Sequence, residues 1–177
     1  MTDAPDSLDQ AAGRASTSAS LAARAVARLI DFLLLGVLHA VVVGMVVLGV
    51  LLGQPGGALP GGSGIVAGAV SAVLGAAINL GYFALLESRH GQTVGKMVMK
   101  VRTVDAAGGT PGLEQALRRN VWVAFGVAGV VPFIGGVIGG LAQLAAAITI
   151  AVGIADGTSD GRGWHDRLAS GTRVVAA

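Results

Sequence analysis

The stretch RAVARLIDFLLLGVLHAVVVGMVVLGVLL, residues 24–52, decides the fold of this chain. Its apolar part, 26–52, holds 27 residues, which as an α-helix is about 40 Å long. Because the hydrocarbon core of a bilayer is about 30 Å thick, this run predicts a transmembrane helix. Asp31 interrupts the run, and an ionised carboxylate in hydrocarbon costs a few kcal/mol unless it has a partner or a function.

The composition places the chain among membrane proteins. Of its 177 residues, 53% are hydrophobic and 12% are charged, whereas soluble domains carry about 25% charged residues. The 29 glycines and the aromatic share of 4% favour thin helices that pack closely in lipid. The sequence has no cysteine, which excludes disulfides, thiolate metal sites and cysteine nucleophiles.

A second apolar run predicts a helical hairpin with the first. Residues 53–64, GQPGGALPGGSG, carry no charge and are mainly Gly and Pro, a composition typical of a turn. The run 65–86 then supplies 22 residues, enough to cross the bilayer again. We expect the connecting loop of this hairpin to lie outside the cell.

The segment 87–120 is predicted to be a cytoplasmic loop. It contains six Lys and Arg residues against three acids, and loops rich in these bases face the cytoplasm. Within it, MVMKVRTVD (97–105) alternates as a β-strand does, so a small cytoplasmic β element is expected. Residues 1–20 are small and polar, which predicts a disordered N-terminal tail on the same side.

The final apolar stretch, 121–155, is too long for one simple crossing. Its 35 residues would form a helix about 52 Å long. VPFIGG (131–136) can break that helix, which predicts two short helices, about 121–131 and 135–155, or a re-entrant hairpin. Three arginines in the tail 156–177 favour the cytoplasm. We therefore expect an all-α membrane bundle of about four passes with both termini inside, and three passes is the alternative.

The charges at the head of the first helix form the strongest candidate site. Arg24 and Asp31 are seven residues apart and share a helix face, whereas Arg28 is three residues before Asp31 and can pair with it directly. One interpretation is a structural ion pair that anchors the helix end and sets its orientation. The other is a site for an ion or a proton, at which Asp31 alternately pairs with and releases its arginine.

Two further polar side chains, His39 and Asn79, lie within the hairpin. Side chains of this kind most often form hydrogen bonds between helices. A role as ligands for a transported ion is the less common alternative.

Other kinds of chemistry find little support in the sequence. GQTVGK (91–96) differs from a phosphate-binding loop, because three residues rather than four separate its glycines and Met97 follows the lysine. No Ser-His-Asp set, paired carboxylates or zinc pattern stands out. We therefore expect no catalytic residues, no metal or other cofactor, and no nucleic-acid partner.

Three blocks of sequence follow one another along the chain: RAVARLID (24–31), GQTVGKMVMKVRTVD (91–105) and GWHDRLASGTRVV (163–175). In this order they resemble the RDD-domain family of bacterial multi-pass membrane proteins. The resemblance covers about residues 20–175. It implies a single RDD-like membrane domain over 21–175.

The family is named for one arginine and two aspartates. By position, these residues resemble Arg24, Asp31 and Asp166 in this chain. The resemblance also implies that the segment 97–105 pairs as a strand with the closing TRVV (172–175), which requires both to lie on one side of the membrane.

Two functions remain open from the sequence. In the first, the protein transports a small cation or a proton; Asp31 binds it, Arg24 or Arg28 is the counter-charge, and Asp166 is a partner at the cytoplasmic end. In the second, the protein is a non-transporting scaffold or accessory subunit whose charges set topology and tie the cytoplasmic segment to the membrane. Both functions predict a plasma-membrane protein embedded in the lipid bilayer, with a second copy or another membrane protein as its partner.

Overall fold

The computed structural model describes residues 18–52, 61–131, 133–156 and 161–177. Most of the predicted N-terminal tail and most of the Gly-Pro loop lie outside the described residues.

Helices dominate the described chain. The first helix begins after Ser20, whose hydroxyl accepts a hydrogen bond from the backbone N–H of Ala23 at 3.1 Å, as is typical of an N-cap. In chain order the elements are α1 (Leu21–Leu52), α2 (Gly61–His90), α3 (Val94–Val98), β1 (Val101–Val104), α4 (Leu113–Asn120), a 3-10 helix (Val121–Val130), α5 (Gly135–Ala155), α6 (Trp164–Leu168) and β2 (Arg173–Ala176).

Three helices in the described chain are long and apolar enough to cross a membrane. The spans are Leu21–Val42 in α1, Gly64–His90 in α2 and the whole of α5. Large apolar side chains on these helices are exposed, including Val37 and Leu141, as expected of surfaces that contact lipid. The predicted all-α membrane bundle with a small β element is confirmed.

The segment predicted as a fourth helical pass, 121–131, has a different structure. Val121–Val130 is a 3-10 helix of ten residues, which at about 2 Å per residue is about 20 Å long and too short to span the bilayer alone. Its backbone packs directly on α5, because a Cβ on Gly135 or Gly139 would collide with a carbonyl of the 3-10 helix. The described chain thus has three helices of membrane length. The 3-10 helix leads away from α4 and α5 returns towards α6, which packs on α4. The two therefore form the short last pair, passing or re-entrant, that the sequence predicted, with a 3-10 helix in place of its first α-helix.

A two-stranded antiparallel sheet lies beside the helices. Its register runs from Val101 opposite Ala176 to Val104 opposite Arg173. This pairing confirms the one implied by the family resemblance. The strand is shorter than the predicted 97–105, because the first residues of that segment belong to α3.

Residues 18–20, assigned by the sequence to the disordered tail, are bound to this sheet. Ser18 forms a β-bridge with Val175, and the backbone N–H of Ala19 donates to the carbonyl of Val174 at 3.0 Å. The edge of β2 therefore orders the chain just before α1.

Two apolar clusters attach the remaining elements to α1 and α2. We call residues 91–120 and 161–177 the cap. The smaller cluster packs the sheet on α1 through Ala27, Val101 and Val174. The larger one joins α1, α2, the 3-10 helix and α5 through Leu35, Phe83, Trp122, Val123 and Ala146.

Candidate functional site: a buried charge network

Buried charges collect at one end of the bundle, where the start of α1 and the end of α2 meet the cap. Five charged side chains here are 6% exposed or less. A buried charge is tolerated only when it is paired or hydrogen-bonded, so the contacts of each one define the site. The five are Asp31, Glu87, Lys96, Arg119 and Asp166.

Asp31 accepts hydrogen bonds from three uncharged donors. The Tyr82 hydroxyl and the backbone N–H of Gly95 donate to Oδ1 at 2.8 and 2.7 Å, and the Thr93 hydroxyl donates to Oδ2 at 2.6 Å. The Gly95 N–H lies in the first turn of α3, where backbone donors have no partner within the helix. The carboxylate is therefore compensated by the start of one helix and by a tyrosine from another.

The crossing of α3 over α1 requires a glycine. A Cβ on Gly95 would collide with the backbone carbonyl of Ala27 and lie 3.0 Å from Cγ of Asp31. Thr93 is the N-cap of α3, and its hydroxyl accepts from the Lys96 N–H at 3.4 Å. The block GQTVGK (91–96), which does not fit a phosphate-binding loop, thus supplies three donors. Thr93 and Gly95 donate to Asp31, and Lys96 donates to Glu87.

Arg24 binds the cap and not Asp31. Its guanidinium donates to the carbonyls of Gly161 at 2.8 Å and Val174 at 3.0 Å, and Nη1 is 3.8 Å from Oδ2 of Asp166. Because these partners belong to the C-terminal part of the cap, Arg24 fastens that part to the start of α1.

Arg28 also lacks the predicted pairing with Asp31. Its Nη2 donates to Oδ1 of Asn120 at 3.0 Å, and its guanidinium lies 4.0 Å from the ring centroid of Phe83 and 5.3 Å from that of Trp122. Aromatic faces attract a guanidinium. The prediction of an Arg28–Asp31 ion pair is wrong in the described structure, because Asp31 is directed to α3 and Arg28 to α2 and the 3-10 helix.

Glu87, at the end of α2, accepts from two elements of the cap. Lys96 Nζ donates to its Oε1 at 2.6 Å and also to the Thr103 hydroxyl at 2.6 Å. Asn120 Nδ2 donates to Oε2 at 3.1 Å, and Nε of Arg119 lies 3.4 Å from the same oxygen. Both carboxylate oxygens of Glu87 are therefore occupied.

Arg119 connects Glu87 to Asp166. Its Nη1 forms an ion pair with Oδ1 of Asp166 and donates to the Thr172 hydroxyl at 3.1 Å. Oδ2 of Asp166 accepts from the backbone N–H of Gly163 at 3.2 Å. The charge network, as we use the term below, consists of Arg24, Glu87, Lys96, Arg119 and Asp166.

The three residues singled out by the family resemblance divide between two sites. Arg24 and Asp166 come together in the charge network, whereas Asp31 lies beside α3. The sites are continuous, because Gly95 binds Asp31 and the next residue, Lys96, belongs to the network. The arrangement is thus a chain of contacts and not a single triad.

Two titrating groups of the cap have shifted pKa values. Burial lowers the pKa of Lys96 to about 8, although the nearby Glu87 carboxylate opposes this effect. Burial, followed by the charge of Arg119, lowers the pKa of His165 well below its usual range. His165 is therefore uncharged at neutral pH.

The secondary candidates His39 and Asn79 lie outside the charge network. His39 has Nδ1 2.7 Å from the Leu35 carbonyl and Nε2 3.3 Å from the Gly75 carbonyl, so it links α1 to α2. Asn79 is half-buried on α2, about 12 Å along the axis from Glu87. A ligand role for either side chain stays a prediction.

Sequence reasoning missed three central residues, Glu87, Lys96 and Arg119, which it counted only as loop charges. One available signal was the spacing in α4, where Ala116, Arg119 and Asn120 are buried. Positions separated by three and four residues share a helix face, so this arginine and asparagine belong to the packed side of a helix.

The side chains of this site can attach one part of the chain to another through ion pairs and hydrogen bonds. The acids of the network face arginine, lysine and amide donors, and Asp31 faces hydroxyl and backbone donors. Among the residues that the structure describes, no three His, Cys, Asp or Glu side chains converge so that they could hold a metal ion.

Comparison with known proteins identifies the family. Neither the curated proteins nor the solved structures gave a match to this chain. The RDD family model matches residues 18–170, a range that contains the three membrane-length helices, Asp31 and the whole charge network. The resemblance drawn from the sequence is confirmed, and the chain belongs to the RDD family.

Proposed function

We propose that this protein is a non-transporting membrane scaffold or accessory subunit, whose buried charges fasten the cap to the membrane helices. The observation that carries the proposal is the environment of Asp31. Its two oxygens accept three short hydrogen bonds, from Tyr82, Thr93 and Gly95. A carboxylate bound in this way holds α3 against α1 and α2.

The cap faces the cytoplasm in this proposal, and the protein lies in the plasma membrane. Exposed bases at the cap end, such as Arg89, Lys100 and Arg118, support this orientation through the positive-inside bias. The exposed apolar surface of α1 beyond Leu35 offers area to a second copy or to a membrane-protein partner.

Transport of a small cation or a proton is the second candidate. It is favoured by the cost of keeping Asp31 ionised within a span. An ion at Asp31 would have to replace three hydrogen bonds of 2.6–2.8 Å. The geometry therefore favours attachment over transport at this residue.

Ion flux measurements separate the two candidates. The protein and its Asp31→Asn variant are reconstituted into liposomes that contain a pH-sensitive or sodium-sensitive dye, with Glu114→Gln as an exposed control. We expect no flux from any of them, and reduced thermal stability of Asp31→Asn alone. Sodium or proton flux that disappears in a folded Asp31→Asn variant would overturn the proposal.

Single cysteines test the orientation, since the natural chain has none. Lys100→Cys lies in the cap, and Phe133→Cys lies at the fully exposed turn before α5, where Phe133 is 97% exposed. A membrane-impermeant thiol reagent should label position 100 only in inverted vesicles. Labelling of position 100 in intact cells would reverse the assignment.

A further inference from the structure

A cavity of about 280 Å³ opens between α1 and α5 beside the charge network. A single water needs only about 10–15 Å³ on this measure, so the cavity has room for a molecular group with part of a chain. Its polar lining consists of Arg24, Arg28, Lys96, Arg119, Trp122 and His165.

These lining residues carry buried nitrogen atoms without hydrogen-bond partners. Among the described residues, four buried side-chain polar atoms lack a partner, and each belongs to a residue that lines this cavity. The four atoms are Nη1 of Arg28, Nε of Arg119, Nε1 of Trp122 and Nδ1 of His165. Nη1 of Arg28 and Nε1 of Trp122 are obligate donors, and leaving a buried donor unpaired costs free energy. Nε of Arg119 makes no hydrogen bond but faces Oε2 of Glu87 at 3.4 Å.

The charge of the cavity wall has one sign. Four lining side chains are bases and none is an acid, because Asp31, Glu87 and Asp166 do not line the cavity. A cleft lined by one sign of charge with apolar walls focuses its field and attracts the opposite charge. Arg24, Lys96 and Arg119 already form ion pairs with acids of the charge network. Arg28 donates to the neutral Asn120 and has no ion-pair partner among the described residues, so the acceptor that fits beside it is an anion.

The remaining walls are apolar and reach the surface that contacts lipid. Leu29 and Phe32 of α1 line the cavity and are 57% and 40% exposed, and Ile150 and Ile154 of α5 face them. Basic pockets between transmembrane helices bind lipid headgroups. Arg28 lies two turns into α1, near the membrane interface, where such headgroups are found.

We infer that this cavity binds one anionic phospholipid. Its phosphate oxygens accept hydrogen bonds from Arg28 and Trp122, and one acyl chain lies between α1 and α5. The inference concerns a site separate from Asp31, so it stands or falls independently of the scaffold proposal.

Trp122 provides the probe for this site. The chain has two tryptophans, and Trp164→Phe leaves Trp122 as the single emitter. Trp164 does not itself line the cavity, and phenylalanine keeps an aromatic ring beside the lining residue His165. The variant is reconstituted into phosphatidylcholine liposomes with rising fractions of phosphatidylglycerol that carries brominated chains. We expect quenching at a mole fraction about tenfold lower than for brominated phosphatidylcholine, as is typical for gaining charged hydrogen bonds. Equal quenching by the two lipids would overturn the inference.

A matched pair of charge changes tests the headgroup contact. In the Trp164→Phe background, Arg28→Gln should remove most of the preference for phosphatidylglycerol, whereas Arg118→Gln, an exposed arginine in α4, should retain it. If both variants retain the preference, the cavity assignment is wrong. If Arg28→Gln does not fold, displacement of the brominated lipid by unlabelled phosphatidylglycerol in the parent variant decides the question.

The source of the anion is tested with inorganic phosphate. Phosphate at millimolar concentration should leave the quenching by brominated phosphatidylglycerol unchanged, because it lacks the acyl chain. Relief of quenching by phosphate would assign the cavity to a soluble anion and overturn the lipid inference.

Discussion

Asp31 and Asp166, the two buried aspartates in the described part of the chain, are stabilised in opposite ways. Asp31 has only uncharged donors, two hydroxyls and the N–H of Gly95 at the start of α3. Asp166 faces Arg119 and Arg24 and accepts one backbone N–H. The first arrangement needs close backbone approach and the second needs charge, although both attach the cap to the same end of the bundle.

Replacing each acid by its amide should lower the free energy of unfolding by a different amount. At Asp31 an amide would lose part of its acceptor capacity but would strand no charge. At Asp166 an amide would remove a counter-charge from two guanidinium groups, those of Arg119 and Arg24, which is the more expensive loss. Asp166 should therefore matter more for stability than Asp31, although Asp31 lies within a span.

The largest effect is expected for Asp166→Asn. Removal of one partner from a buried ion pair costs about 3–5 kcal/mol, and here it leaves Arg119 with only Glu87. The free energy of unfolding in detergent, measured by denaturant titration, gives this value. Glu114→Gln is the control, since it breaks the exposed Arg118 pair and should cost about 0–1 kcal/mol. Equal losses in the two variants would contradict the buried network.

Gly95→Ala should come next, because it disrupts the close approach that Asp31 needs. The added Cβ meets the Ala27 carbonyl, and the backbone shift that relieves such overpacking costs about 1–3 kcal/mol. Gly36→Ala in α1 is the matched control, since nothing lies within 4 Å of its Cβ position. The same unfolding assay should find Gly36→Ala unchanged or more stable. A harmless Gly95→Ala would exclude the crossing of α3 over α1.

Asp31→Asn is expected to cost about 1–3 kcal/mol, the penalty for a buried donor left without its acceptor. Asp105→Asn is a fair control, because the carboxylate of Asp105 also accepts hydrogen bonds, from the backbone N–H groups of Ala107 and Gly109, but does so in an exposed turn. The difference between these two variants in unfolding free energy measures the effect of burial. A loss for Asp31→Asn as large as that for Asp166→Asn would show that the two acids are not distinguished as proposed.

Regular features of the fold could be predicted from the sequence because they depend on local composition. The apolar runs 26–52, 65–86 and 135–155 all lie within membrane-length helices. The 3-10 helix could not be predicted from the sequence, because its geometry depends on backbone packing against Gly135 and Gly139. Nothing in the local pattern of 121–131 distinguishes that packing from a short α-helix.

Some members of the site could be predicted from the sequence, but Glu87, Lys96 and Arg119 and the pairings could not. Arg24, Arg28, Asp31 and Asp166 all lie at the same end of the bundle, as the sequence and the resemblance implied. Helical spacing suggested Arg28 as the partner of Asp31. The real partners come from α2 and from residues more than 60 positions away, which only tertiary packing brings together.

The smallest predicted effect is a pH dependence of the free energy of unfolding, which Lys96 of the charge network should cause. Burial lowers the pKa of Lys96 from 10.5 to about 8 in the folded protein, where Glu87 attracts its proton and Arg119 and Arg28 repel it. Between pH 8 and 10.5 the unfolded chain then binds more protons at Lys96 than the folded chain does. The contribution of Lys96 to the free energy of unfolding must therefore rise with pH in this window.

Thermal unfolding at pH 7.5, 8.5 and 9.5 measures this contribution as the difference between the protein and its Lys96→Met variant. The natural protein should become more stable relative to Lys96→Met as pH rises. The reason is that removing the proton from Lys96 costs less free energy in the folded protein than in the unfolded chain. Lys100→Met removes an exposed lysine and should give a difference that stays constant. A constant difference for Lys96→Met as well would mean that Glu87 fully compensates the buried ammonium. The charge network would then have no titrating group between pH 7.5 and 9.5.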